Sequence, residues 1–434
     1  MRVLTIVGDL RPGGTQRVAC NFARGYKSRG VESALLAYRG GGALEESMRE
    51  HTEIIIGGPD DDIQRAALRQ ALNWRPDVVH IHREGPSDPR TGGMLRAARS
   101  APRAGTSAPV GIIETNVFGR VDYSADSSNI DVHFLLSKWC LWKWRQWSGS
   151  LGTAPLGIVL PNLVMHAEFS RISHAERVEF RRRWNIPPDA LLFGRVGSPL
   201  SGKWSQATLD AFAIYGRSNP NAWLLLVGIP VDLRSSVAAM PEALQRRTVL
   251  IDFLHGDAAL REAYGSMDVF LHTARIGESF GMVLAESLSC GTPVITLSTP
   301  AKDNSQLEVV GHEKGGLVAA SVAGVIEAMS RLESPAVRER YGRQGAMLVA
   351  KQFGPETLIP RALQVASVCA EGLSRVDLQR RVLALAGICA EVGTDEIRDL
   401  MHRCLGQYPL GTPALLRLVS NPLVYRAYCA MTRS

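Results

Sequence analysis

The sequence of 434 residues predicts an α/β protein with two doubly wound, Rossmann-like domains and a helical C-terminal extension. Short apolar runs alternate with longer amphipathic stretches up to about residue 350, which is typical of parallel sheets covered by helices on both faces. The alternation forms two successive series of roughly 150–180 residues, and each is long enough for one doubly wound domain.

The first series, residues 1–162, contains seven apolar runs that we predict to be strands, with helices such as Thr15–Arg29 and Asp62–Trp74 between them. The predicted strands are Val3–Val7, Ser33–Ala37, Ile54–Ile56, Val78–Ile81, Val110–Ile113, Phe134–Leu136 and Ile158–Leu160. Pro161 then ends the last strand before a polar, irregular stretch, so we place the domain boundary there.

The second series, residues 163–354, contains six predicted strands and helices such as Ser205–Arg217 and Asp257–Ser266. The strands are Leu191–Val196, Ala222–Val227, Val249–Phe253, Val269–Leu271, Pro293–Thr296 and Gly316–Val318. Ligands of open α/β sheets bind beyond the carboxyl ends of the strands, so a cleft between the two domains is the expected site.

Residues 355–434 show helical patterns only, and we expect them to return to the first domain. The predicted helices are Glu356–Glu371 and Arg375–Cys389. The tail from Arg403 to Ser434 is basic, with four arginines and no acidic residue.

The composition, 45% hydrophobic and 21% charged, excludes wholesale disorder and fibrous classes. No stretch approaches the ~18 uninterrupted apolar residues of a spanning helix. The seven cysteines form no C-x-x-C pair, and the apolar run near Met1 is too short for a signal-peptide core. A reducing cytoplasm is therefore the expected location.

The net charge of +7 is compatible with nucleic acid, anionic lipid or phosphorylated ligands as partners. Most of the cations are arginines spread along the chain, which favours a codon-biased surface, and nucleic acid is not expected. Trp139–Trp147 holds four of the eight tryptophans beside basic residues. This segment and the basic tail suit peripheral contact with the inner face of the plasma membrane. The alternatives are packing within the fold and, for the tail, docking or dimerisation.

The most informative segment is Glu278-Ser-Phe-Gly-Met-Val-Leu-Ala-Glu286, which follows a predicted strand and opens a short helix that ends at Gly291. The backbone N–H groups of residues 279–281, at the expected helix N-terminus, suit an anion. Glu286, inside the helix, is placed to accept hydrogen bonds from a diol such as ribose. The alternative is a surface helix with one glutamate favouring its N-terminus.

This spacing, E-S-F-G-x-x-x-x-E-x-x-x-x-G-x-P-V, resembles the signature of retaining glycosyltransferases of family 4, which have the GT-B fold. Further motifs agree in type and order over about residues 1–370. They are the pair Gly13-Gly14, the H-x-H strand Pro76–His82, the P-N hinge at Leu160-Pro-Asn162, Phe193-Gly-Arg195 with Lys203, and the glycine turn Gly311–Val318.

The resemblance implies a donor site in the second domain. Glu286 would hold the ribose of a nucleotide sugar. Glu278 and the amides of Phe280, Gly281 and Met282 would hold the hydroxyls of the transferred sugar.

Arg195 and Lys203 suit the diphosphate, because a guanidinium binds phosphate oxygens bidentately and an ammonium is a compact charge. Together they would stabilise the leaving group in place of a divalent metal, so no metal or cofactor is expected. Gly13 and Gly14 would approach the diphosphate or sugar from the acceptor-side domain. Asp60–Asp62 contains a D-x-D pattern, but its position before a helix favours solvation and N-capping.

Asn116 takes the place where many family members carry a histidine, and an amide can donate to a sugar hydroxyl but does not exchange protons. No nucleophile is assigned. The candidate catalytic residues are Glu278, Asn116, Arg195 and Lys203, with His82 and Asn116 on the acceptor side. His80 and His82 also form a possible metal pair, although no third ligand is evident; the alternative is a buried histidine beside an acceptor-side one.

The resemblance thus implies an enzyme that transfers a hexose from a UDP- or GDP-type nucleotide sugar to a hydroxyl of a glycan or lipid-linked acceptor, with retention of configuration. Cell-envelope polysaccharide or glycolipid biosynthesis is the implied setting. Two alternatives stay open, a glycosyltransferase for small-molecule acceptors and a non-catalytic partner subunit of the same fold.

Overall fold

The computed structural model describes residues 1–148, 155–300, 302–403 and 424. The chain folds into two compact units, and each is built on one parallel sheet. The first unit includes Met1–Leu163 and Pro355–Thr394, and the second includes Val164–Gly354.

The sheet of the first unit has seven parallel strands. They are β1 (Arg2–Asp9), β2 (Glu32–Gly40), β3 (Glu53–Ile56), β4 (Val78–Arg83), β5 (Gly111–Asn116), β6 (Val132–Leu135) and β7 (Leu156–Val159). The helices between them are α1 (Gly14–Ser28), α2 (Glu45–Arg49), α3 (Asp61–Asn73), α4 (Pro89–Arg99) and α5 (Lys138–Ser148). The strand order is β3-β2-β1-β4-β5-β6-β7, so the winding reverses between β1 and β4.

The sheet of the second unit has six parallel strands. They are β8 (Leu191–Val196), β9 (Ala222–Val227), β10 (Thr248–Ile251), β11 (Val269–His272), β12 (Val294–Leu297) and β13 (Gly316–Ala319). The order β10-β9-β8-β11-β12-β13 repeats the pattern of the first sheet and reverses between β8 and β11.

The helices of the second unit cover both faces of its sheet. They are α6 (His174–Arg183), α7 (Ala207–Ser218), α8 (Val231–Ala238), α9 (Glu242–Gln245), α10 (Gly256–Ser266), α11 (Met282–Ser289), α12 (Gln306–Val310), α13 (Val322–Arg331) and α14 (Pro335–Phe353). Short 3₁₀ turns occupy Ser201–Lys203 here and Ala125–Asn129 in the first unit.

Three further helices follow: α15 (Pro355–Ala370), α16 (Arg375–Leu383) and α17 (Thr394–His402). Helices α15 and α16 belong to the first unit, where the Arg103 guanidinium donates to the carbonyl of Ala370 at 2.7 Å, whereas α17 from Asp395 onward belongs to the second unit. The predicted helix over 375–389 is too long. It ends at Leu383, and Gly387 then takes a left-handed conformation with φ 74°.

The strands read as continuous apolar runs because helices bury both faces of each sheet. In the first sheet, Leu4 and Ile6 pack into one cluster with the residues of α3 and α4, whereas Val7 packs into another with α1.

The tryptophan-rich segment forms α5, and all four of its tryptophans are buried, with 2–3% of their surface exposed. Packing within the fold is therefore the correct interpretation, and the rings do not form a membrane-facing surface. The basic tail beyond Arg403 lies outside the described residues, apart from Val424. None of the helices in the described ranges is long and apolar enough to cross a membrane.

Candidate functional site

The candidate site of the second unit lies where its winding reverses. β8 and β11 are neighbours, with Phe270 opposite Gly194 in the register. Arg195 is the penultimate residue of β8, and His272 is the last residue of β11. Open α/β sheets bind ligands at this position, beyond the carboxyl ends of the strands.

Glu278 is the centre of the polar contacts at this edge, in the loop between β11 and α11. The Lys203 ammonium lies 3.1 Å from Oε2, and Nε2 of His272 lies 3.1 Å from Oε1. The main chain of Glu278 is held as well, since its N–H donates to the side-chain carbonyl of Gln306. The carboxylate is thus fixed on two sides while Lys203 stays 31% exposed.

The surroundings of Glu278 keep it ionised. Burial alone would raise its pKa, but the charge of Lys203, the hydrogen bond from His272 and the charge of Arg195 together lower the pKa to about 2. At neutral pH this group is therefore a hydrogen-bond acceptor and not a proton donor.

Arg195 is buried, with 1% of its surface exposed, and it is directed into the protein. Its terminal nitrogens donate to the main-chain carbonyls of Val196 at 2.9 Å and Lys203 at 2.7 Å. The guanidinium also lies over the ring of Trp204. Burial lowers its pKa to about 10, so it remains charged at neutral pH. The guanidinium that we expected to face a diphosphate instead donates to the main-chain carbonyl of Lys203 in this structure.

Helix α11 begins at Met282, which is later than predicted, and Gly281 is its N-cap. Gly281 has φ 91°, and a Cβ there would lie 2.7 Å from Leu284, so the turn requires glycine. The N–H groups of Gly281 and Met282 therefore lack an intrahelical acceptor, and both belong to the amides assigned to the sugar, whereas Ser279 and Phe280 lie before the N-cap. The ring of Phe280 is buried against Phe353, which leaves only its main chain for a ligand.

Glu286 is on the buried side of α11, with 3% of its surface exposed. The hydroxyl of Tyr264, on α10, donates to Oε2 of Glu286 at 3.0 Å. This bond orients the carboxylate to which the sequence assigned the ribose.

In the first unit, Gly13 is the N-cap of α1 and Gly14 is its first residue. Gly13 is extended (φ −174°), so the backbone itself does not require glycine there. Asp9 accepts from the side chains of Arg11 and Gln16, which ties the loop to the helix.

The two histidines of the H-x-H strand are buried and neutral. The Tyr26 hydroxyl and the Thr115 hydroxyl each lie 2.8 Å from one ring nitrogen of His80, and burial lowers its pKa to about 3. Neither ring nitrogen of His82 has a hydrogen-bond partner among the described residues, and burial lowers its pKa well below the usual value. The described part of the chain contains no cluster of three or more His, Cys, Asp or Glu side chains suited to a metal.

Asn116 ends β5 and closes the loop that follows. Its Nδ2 donates to the carbonyl of Arg120 at 2.7 Å, and its Oδ1 accepts the N–H of the same residue at 3.1 Å. Only 1% of the surface of Asn116 is exposed, and its role in this structure is to hold the loop. Asp60 is the N-cap of α3 but its side chain makes no capping bond, while Asp61 pairs with Arg90.

Sequence reasoning missed two groups. His272 directly follows the predicted strand Val269–Leu271 and lies six residues before Glu278. A histidine at the end of a strand and so close to a candidate carboxylate was a usable signal. The other group is a buried ion cluster in the first unit, where Arg83 lies 2.9 Å from both Glu114 and Asp122. Arg83 is about thirty residues from Glu114 in sequence, and the two meet only through the register of β4 and β5, while Asp122 lies in the loop that follows β5.

The two Rossmann-like units agree with the predicted GT-B fold, and solved structures match the chain over most of its length. Anabaena HepE in complex with UDP-glucose matches with a TM-score of 0.66 at 15% identity, over 85% of this chain and 99% of that one. WaaG, a glycosyltransferase involved in lipopolysaccharide biosynthesis, matches with a TM-score of 0.57 at 16% identity, over 84% of this chain and 99% of that one.

Residues 176–346, within the second unit, match the family Glycosyl transferases group 1. This range includes Arg195, Lys203, Glu278 and Glu286. D-inositol 3-phosphate glycosyltransferase of Thermomonospora curvata is 30% identical over 200 residues, which are 43% of this chain and 44% of that protein. Phosphatidyl-myo-inositol mannosyltransferase of Mycobacterium tuberculosis is 30% identical over 167 residues, 37% and 42% of the two chains. The chain spans less than half the length of the curated relatives it matches.

Proposed function

We propose that the protein is a glycosyltransferase that moves a hexose from a nucleoside-diphosphate sugar, of UDP or GDP type, to an acceptor hydroxyl with retention of configuration. The acceptor is a glycan or lipid-linked intermediate of cell-envelope polysaccharide or glycolipid biosynthesis. The reaction takes place in the cytoplasm, with peripheral contact to the membrane through the basic tail beyond Arg403 and not through Trp139–Trp147.

The observation that carries this proposal is the ion pair of Lys203 and Glu278 at the switch point of the second sheet. A partly exposed ammonium suits the phosphate oxygens of the donor, and an ionised carboxylate suits the hydroxyls of its sugar. Both are held by buried neighbours, so they are oriented before a ligand arrives.

The comparisons support the substrate classes. HepE was solved with UDP-glucose, and the two curated relatives are named for inositol-containing acceptors, one of them a phospholipid. The partly exposed charge of Lys203, with the buried charge of Arg195 behind it, supports a reaction without a metal, since Lys203 supplies positive charge where the leaving group would develop its negative charge.

Binding of nucleotides tests the proposal directly. The pure protein is screened by thermal shift and calorimetry against UDP, GDP, ADP and TDP, each with and without EDTA. A ligand that binds only the native state raises stability by RT ln(1 + [L]/Kd), so we expect one diphosphate to raise Tm regardless of EDTA. Stabilisation that EDTA abolishes would refute metal independence. No stabilisation by any of the four would overturn the proposed activity in favour of a non-catalytic subunit.

A further inference from the structure

His272 is buried in full at the end of β11 and bridges two groups. Nε2 lies 3.1 Å from Oε1 of Glu278, and Nδ1 lies 3.2 Å from the hydroxyl oxygen of Thr296, on the neighbouring strand β12. No sequence motif singled out this histidine, and the donor site as proposed does not assign it a role.

The protonation of His272 follows from these partners. Burial and the nearby charge of Arg195 lower its pKa to about 4, so the ring is neutral at physiological pH. An ionised carboxylate can only accept, so Nε2 carries the single ring proton. Nδ1 is then an acceptor, and the hydroxyl of Thr296 donates to it. Thr296 therefore fixes the tautomer in which His272 donates to Glu278.

We propose that His272 is a positioning residue for the donor sugar, which holds Oε1 of Glu278 so that the carboxylate faces the sugar hydroxyls. This inference rests on the proposed function, because it deepens the role of Glu278 as the sugar-binding carboxylate.

The contacts of Glu278 explain why a neutral anchor is useful. Without a ligand, Oε2 pairs with the Lys203 ammonium. A bound diphosphate would compete for that ammonium and leave Oε2 free for a hydroxyl. The bond from His272 to Oε1 does not compete for the diphosphate, because the ring carries no charge. The carboxylate thus keeps one fixed oxygen while the other changes partners.

The test compares affinities for a diphosphate and its sugar. Calorimetry gives Kd for UDP and UDP-glucose and for GDP and GDP-mannose, and the pair that binds the wild type is used. In His272→Leu, we expect Kd for the nucleotide sugar to rise about tenfold or more, since a hydrogen bond to a charged group is lost. Kd for the diphosphate should change less than about threefold, and His272→Gln, which retains an N–H donor, should restore much of the sugar affinity.

Two further variants separate positioning from packing. His312 is half-buried in the same unit, where its Nδ1 accepts the N–H of Val318, and His312→Leu should leave the ratio of the two Kd values unchanged. His272→Leu combined with Glu278→Gln should weaken sugar binding no more than Glu278→Gln alone, because His272 acts through Glu278. Thr296→Val, which keeps the side-chain shape, provides the test if His272→Leu fails to fold.

The outcomes are distinct. A wild type that binds none of the four ligands contradicts the proposed function. If the wild type binds them, two results would overturn the role of His272 alone. One is an unchanged Kd ratio in His272→Leu, or in Thr296→Val if that protein is used. The other is additive effects in the double variant.

Discussion

At the scale of single residues, the candidate donor site depends on charges that are balanced before any ligand binds. Glu278 is buried, and it stays ionised because Lys203 and the hydrogen bond from His272 offset the cost of burial. Arg195 does not reach solvent, and it holds the main chain of Lys203 instead. Lys203 is the partly exposed member of this set, so a substitution of Lys203 tests how the buried groups depend on its charge.

Lys203→Met should weaken the binding of UDP or GDP at least about tenfold, because a charge-assisted contact to the diphosphate is lost. The variant also removes the charge that offsets burial of Glu278, so the pKa of Glu278 should rise and turnover should gain an acid limb in its pH profile. Calorimetry and pH–rate measurements check both effects. Lys314→Met, at an exposed lysine of the same unit, is the matched control. Equal nucleotide affinity in the two variants would contradict the role of Lys203.

At the scale of helices and strands, much of the fold could be predicted, since all thirteen predicted strands overlap observed ones. Buried parallel strands are continuous apolar runs and are therefore visible in the sequence. Helix ends were less predictable. The start of α11 depends on the left-handed turn at Gly281, and the end of α16 had no proline to mark it.

Residues of the candidate site could be predicted only where they belong to a recognisable motif. Glu278 and Lys203 were named from motifs that resemble those of a family, and they do meet in space. The inward direction of Arg195 and the bonds of Asn116 to the main chain of Arg120 depend on packing that a sequence does not display.

Asp268, just before β11, provides a test at the scale of elements. Its carboxylate accepts from Arg177 and Arg181 of α6 and from the N–H of Leu192 in β8, each at 2.8 Å. Asp268→Ala would leave the buried Arg181 without its carboxylate partner, with only main-chain carbonyls as acceptors, so we expect the free energy of unfolding to fall by about 3 kcal/mol.

Denaturant titration measures this loss. Glu179→Ala, which removes the exposed partner of Arg182 on the same helix, should change the free energy by at most about 1 kcal/mol. If the two variants proved equally stable, α6 would not depend on Asp268 for its attachment to the sheet.

At the scale of the whole molecule, both units contain histidines that are buried as neutral rings, which couples stability to pH. The pKa is lowered by burial to about 3 in His80, to about 4 in His272, and well below its usual value in His82. In the unfolded chain these rings titrate near 6.5. Between pH 6.5 and about 4, the unfolded state therefore binds protons that the native state does not.

This difference in bound protons sets the direction of the pH effect. The histidines leave the free energy of unfolding unaffected above pH 6.5 and lower it as the pH drops toward 4. Each histidine contributes up to about 1.4 kcal/mol per pH unit, so the three together contribute up to about 4 kcal/mol per pH unit. At pH values below the usual pKa of a glutamate, Glu278 adds to the loss of stability. Its pKa in the folded protein is about 2, so the native state binds this proton less readily than the unfolded state does. Calorimetric unfolding at pH 5 in two buffers of different ionisation enthalpy should show proton uptake, and His80→Gln should lower that uptake by about one proton. A midpoint temperature that stayed constant from pH 7 to pH 5 would contradict this expectation, because it would mean that these rings bind protons equally in the native and unfolded states.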